Sequence, residues 1–110
     1  MPMVSDVLVV CESDALRGLV KFALGRYRGV VVRGATDFDT ASTALVERTP
    51  QVAIIDAELP TVADVVHLVA PSTRIVAINA DSAVLGWAHA TTETPFQPTK
   101  LHEALETALA

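Results

Sequence analysis

Two apolar runs in this chain stop abruptly at side chains that can do chemistry. Val52-Ala53-Ile54-Ile55 ends on Asp56, with Pro60 four residues further on, and Val7-Leu8-Val9-Val10 ends on Cys11 and Glu12. A short β-branched run that is apolar at every residue reads as a strand covered on both faces. Such a strand hands its last side chain to the carboxyl edge of a parallel sheet, where open α/β folds place ligand chemistry. A carboxylate at that edge can serve as a nucleophile or as a ligand for a hard cation. The plainer role for Asp56 is to cap the following loop. Two chemistry-bearing strand ends in one small chain favour the first reading, because neighbouring strands would bring Glu12 and Asp56 into one crevice.

The elements that must position these groups follow from periodicity. Ser13 is a suitable N-cap and Asp14 suits the positive end of a helix dipole. Leu16, Leu19, Val20, Ala23 and Tyr27 then recur at helical spacing, so a helix is predicted over roughly 14–26, with Gly25 and Gly29 at its end. Val30 to Val32 reads as a second strand. Asp37 to Arg48 reads as a second helix, stopped by Pro50 because the residue before proline avoids the helical region. Thr61 is a fair cap for a third helix ending at Pro71, which its valines make short. Arg74 to Asn79 holds the fourth strand, Ser82 to Ala90 a short fourth helix, and Thr91 to Glu93 a weak fifth strand. Pro98 is pre-set for the first position of a last helix, whose stripe is Leu101, Ala104, Leu105, Ala108 and Leu109. Strand–helix alternation of this kind implies an α/β, three-layer, doubly wound five-stranded parallel sheet with right-handed crossovers. The expected strand order is the flavodoxin-like 2-1-3-4-5, with its switch point between strands 1 and 3.

Composition bounds the function. The chain has 110 residues, 51% of them apolar, and a net charge of −5. That is the size of a single domain with one core, and residues 1–110 are read as one. The acidic balance offers no electrostatic footprint for nucleic acid or an anionic membrane. No stretch approaches membrane-spanning length, and no leader pattern is visible. One cysteine excludes an internal disulfide, which fits a reducing, cytoplasmic setting.

With the elements in place, the chain resembles the receiver domain of two-component response regulators over nearly its whole length. Val-Leu-Val-Val-Cys11-Glu12 is similar to that family's first strand and its acidic pair. Gln51 to Pro60 is similar to the segment that carries the phosphoacceptor aspartate, and Thr94-Pro95-Phe96 to the Lys-Pro-Phe segment before the last helix. The resemblance implies that Asp56 is the phosphoacceptor, that Glu12, Asp56 and the backbone carbonyl of Glu58 are the magnesium ligands, and that Asn79 and Thr94 are the phosphoryl contacts. It also implies a departure from the pattern. Cys11 stands for one acid, Glu12 for the other, Asn79 for a hydroxyl residue, Thr94 for a lysine, and non-aromatic Thr91 for an aromatic switch. Phosphoryl transfer depends chiefly on placed charge, so Mg2+ binding is expected to be weak or absent and phosphorylation reduced. The intervals from Asp56 to Asn79 and from Asn79 to Thr94 are clipped by about two helical turns of roughly 3.6 residues, which shortens helices 3 and 4. The expectation is a pseudo-receiver in the cytoplasm, not an enzyme. Its partner would be a histidine kinase, an output protein, or a second copy docked on the last helix.

A rival enzyme reading uses Cys11 and Arg17, whose spacing resembles the C-x5-R loop of low-molecular-weight tyrosine phosphatases; phosphocysteine-type subunits are a related case. That chemistry needs a thiolate and a cradle of backbone N–H groups. Glu12 and Asp14 place negative charge in the cradle, and no glycine lies between Cys11 and Arg17. The ordinary role for Cys11 is a small buried hydrophobe. His67, His89 and His102 lack metal-ligand spacing and read as surface residues, and Trp87 reads as core packing.

Overall fold

The computed structural model describes residues 5–80, 86–92 and 97–110. Five parallel strands form one sheet: β1 (Asp6–Val10), β2 (Val31–Ala35), β3 (Val52–Asp56), β4 (Arg74–Ile78) and β5 (Ala90–Thr91), in the order β2-β1-β3-β4-β5. Four helices connect and cover them: α1 (Asp14–Leu24), α2 (Phe38–Glu47), α3 (Val62–Leu68) and α4 (Pro98–Leu109). β1, β3 and β4 are the inner strands, and their continuous apolar runs are buried, as covered parallel strands require.

Alternation of side chains along the strands divides the core in two. Val7, Val9, Val52, Ile54, Val76 and Ile78 face α1 and α4. Leu8, Val10, Ala53, Ile55 and Ile75 face the other way, against Val65 of α3 and Ala41 of α2. Trp87 is half-buried in that second cluster, in line with the packing role expected of it.

Local chemistry sets the helix starts. Ser13 accepts from the Leu16 N–H at 3.2 Å and caps α1. Asp37 and Thr40 form a reciprocal capping box on α2. Arg33 holds the far end of α2, donating to the Ala44 and Arg48 carbonyls at 2.7 and 2.9 Å while facing the Asp6 carboxylate.

Several expectations are corrected. β2 lies at 31–35 rather than 30–32, because ladder partners on β1, not apolar character, decide where an edge strand sits; Arg33 and Gly34 pair with Leu8 and Val9. α1 ends at Leu24, where the Gly25 N–H closes on the Lys21 and Phe22 carbonyls. Thr61 makes no side-chain cap bond, and α3 is only seven residues long, as its valines foretold. Of the helix expected at 82–90, residues 86–90 are turn and strand, and the rest lies outside the described residues. The fifth strand is Ala90–Thr91, with Glu93 outside the described residues. The last helix does not offer its apolar stripe to a second copy: Leu101, Ala104, Leu105 and Ala108 are buried in the core against β4, β5 and α1.

Candidate functional site

β1 and β3 pair side by side, with Val10 opposite Ile55. The residues that end these strands therefore emerge next to one another at the carboxyl edge. The Cys11 thiol donates to Asp56 Oδ2 at 3.5 Å, a normal reach for sulfur. β4 pairs with β3 on the other side, with Ile78 opposite Asp56, and the next residue, Asn79, donates its side-chain N–H to Asp56 Oδ1 at 3.1 Å. The Glu58 backbone N–H donates to the same oxygen at 2.9 Å, so Asp56 also closes the turn that follows its strand. Three donors from three directions thus fix the carboxylate, which is half-buried.

Asn79 has a φ of 57°, in the left-handed region. Asparagine is among the few side chains that tolerate it. This turn lets the Ala80 N–H reach the Thr92 carbonyl at 3.0 Å while the Asn79 amide swings back towards Asp56.

Cys11 is fully buried. Burial pushes its thiol above the ordinary range, and the adjacent Asp56 charge acts in the same direction against the opposing pull of the Ser13 backbone N–H and Arg17. The thiol is therefore a proton donor to Asp56, not a thiolate. Arg17 donates to the Cys11 carbonyl and pairs with Asp14. Its guanidinium is engaged at the backbone rather than held over the sulfur, so nothing in this arrangement favours phosphate-ester attack by Cys11.

Glu12 is exposed, directly after Cys11. Thr94 lies outside the described residues. Among the described residues, no three His, Cys, Asp or Glu side chains form a group that could hold a metal ion. A hard divalent cation takes several oxygen ligands. Here one oxygen of the central carboxylate faces a protonated soft thiol, so these residues fit magnesium poorly. Of the histidines, His67 is exposed. His89 Nδ1 accepts the Ile75 N–H at 3.0 Å, and half-buried His102 Nδ1 lies 3.2 Å from the Tyr27 hydroxyl. Neither contact was legible from spacing, because each joins distant segments.

No protein-family model matches the sequence, and no curated protein matches it. Solved structures do. The chemotaxis response regulator CheY4 of Vibrio cholerae superposes with a TM-score of 0.82 at 23% identity, over 97% of this chain and 100% of that one. A CheY-like response regulator receiver domain from Methylobacillus flagellatus gives 0.78 at 19% identity, over 96% and 98%. NtrX from Brucella abortus gives 0.81 at 29% identity, over 97% of this chain but only 27% of its own. The fold is therefore the CheY-like receiver fold, with the 2-1-3-4-5 sheet expected from the sequence. Among the described residues, no helix is long and apolar enough to cross a membrane.

Proposed function

We propose that this chain is a signal-transduction module of the receiver kind, cytoplasmic and non-enzymatic, that works through protein–protein contact and accepts phosphate at Asp56 weakly or not at all. One observation carries the reading: the side chain that reaches Asp56 from β1 is the Cys11 thiol, at 3.5 Å, and not a carboxylate. A receiver with a thiol in place of one acid of its pair keeps the shape that partners recognise and loses part of the charge placement that phosphoryl transfer needs. In this reading Asp56 is the residual acceptor. Asn79 and Thr94 are the groups that would touch a phosphoryl oxygen, and Glu12, Asp56 and the Glu58 carbonyl are the oxygen donors left for Mg2+. The partner is a histidine kinase or an output protein. The likeness to one segment of the longer NtrX supports a module that serves a larger assembly.

The test is exposure to a small phosphodonor, or to beryllofluoride, with and without Mg2+, read by intact mass and by amide spectra. The expected result is little or no adduct and a small Mg2+ dependence, with any adduct abolished by Asp56→Asn. Stoichiometric, Mg2+-dependent acyl phosphate would overturn the degenerate reading and leave an ordinary receiver.

A further inference from the structure

The outer side of α1 carries an apolar stripe that the fold leaves uncovered. The core takes Val20, Ala23 and Leu24. On the opposite side, Phe22 is 80% exposed and Leu19 46% exposed. Ala15 and Gly18 are exposed one turn earlier on the same side, and among the described residues nothing stands within 4 Å of where a Cβ on Gly18 would be. A phenylalanine so exposed, on a helix whose other face is already satisfied, has no role in folding this chain.

Apart from Arg17, which pairs with Asp14 inside the chain, the charges around the stripe are arranged by end. Glu12 and Asp14 stand at the start of α1, and Lys21 and Arg26 stand at its close. A parallel pair of such helices would set like charges together. An antiparallel pair sets each acidic end against a basic one.

We propose that α1 is a self-association surface, on which a second copy of the chain packs its own α1 antiparallel about a two-fold axis between Gly18 and Leu19. That axis lays Phe22 of each copy over Ala15 and Gly18 of the other, where the absence of a side chain at Gly18 admits the ring. It also sets Asp14 of each copy on the same flank as Lys21 of the other. The contact is isologous and closed, so it ends at a dimer. One 11-residue helix on its twin buries less than the roughly 1,200 Å² at which stable complexes begin. The dimer is accordingly reversible and concentration-dependent. It does not depend on whether Asp56 takes phosphate.

Sedimentation velocity over a wide concentration range tests this. A reversible monomer–dimer equilibrium is expected, weakened by added salt. Phe22→Glu, at a position too exposed to disturb the core, should weaken it by at least about tenfold. Asp14→Lys and Lys21→Glu should each weaken it alone, and an equimolar mixture of the two should recover it, because among the variant pairings only the mixed one sets opposite charges at both Asp14–Lys21 contacts. A monomer at every concentration would overturn the proposal. So would a dimer unaffected by Phe22→Glu, or two charge variants that fail to rescue one another while each retains its native circular dichroism.

Discussion

Cys11 Sγ and Asp56 Oδ2 lie 3.5 Å apart, joining the ends of two neighbouring strands through a thiol proton. The contact places a neutral donor where a second carboxylate would create a cation site, and it makes the site's chemistry reversible by one substitution.

Cys11→Asp should create that cation site. Without metal, two carboxylates at this separation repel, and burial leaves the new one poorly solvated, so the variant should lose about 2 kcal/mol of stability. Mg2+ should then restore it, since a ligand at a hundred times its dissociation constant returns about 2.7 kcal/mol. Thermal unfolding with and without Mg2+ checks this: the variant's midpoint should climb with metal while the parent's stays nearly flat. An equal response in both chains would show that the thiol is not what limits binding.

Asn79 combines two properties that substitution can separate. Asn79→Ala and Asn79→Gly both delete the bond to Asp56 Oδ1. Only alanine is also strained at a φ of 57°, by about 1–2 kcal/mol. Denaturant unfolding should therefore rank the parent first, glycine second and alanine last. Equal stability of the two variants would mean that the turn relaxes and the left-handed geometry is not imposed by its surroundings.

The parts of the fold that were legible share a property: their side-chain pattern and their environment say the same thing. β1, β3 and β4 are apolar throughout because both faces are covered, and the residues that end them had to meet at one edge once the order 2-1-3-4-5 was set. The bounds of β2 are not legible because an edge strand is fixed by its partner, and Arg33 and Gly34 carry no strand signal. The stripe on α4 was legible as a stripe but not as to what it faces; Leu101 and Leu105 would look the same packed on a sheet or on a second chain. Phe22 was the opposite case, an apolar residue outside the core face that the helical spacing did not include. At the site, the residue types mark Cys11 and Asp56 separately and not the bond between them, because a cysteine in place of an acid reads as a loss until its thiol is seen to face the carboxylate.

The Tyr27–His102 contact predicts a pH dependence. Burial, aided by the positive charge of Arg26, lowers the His102 pKa in the fold, with Glu106 opposing. The folded protein thus prefers neutral imidazole, whose Nδ1 can accept from the Tyr27 hydroxyl. As pH falls, the unfolded chain takes up the proton first, near its ordinary value of about 6.5. The stabilisation is complete above that value and is lost as pH falls from there through the lowered folded value. Carboxylates add their own acid sensitivity, so the measurement is a difference: the gap in unfolding midpoint between the parent and His102→Gln should be constant above neutrality and narrow on acidification. A gap independent of pH would show that His102 does not titrate differently in the two states.

Thr92 presents a stabilising substitution. The residue is 4% exposed at the carboxyl side of β5, and its Oγ1 has no hydrogen-bond partner among the described residues. The backbone around it is satisfied, with the N–H bonded to the Ala77 carbonyl at 2.8 Å and the carbonyl accepting from Ala80. A buried hydroxyl without a partner keeps its full desolvation cost, which is about 1–3 kcal/mol. Valine has the same shape without the hydroxyl and the same preference for extended backbone. Thr92→Val should therefore raise stability by about 1 kcal/mol, the lower end of that range, because an ordered water is a natural partner for an orphaned hydroxyl. For a domain of this size that corresponds to a rise in unfolding midpoint of about 4–8 °C. A fall in the midpoint would show that the hydroxyl is satisfied in solution and contributes to holding β5 against β4.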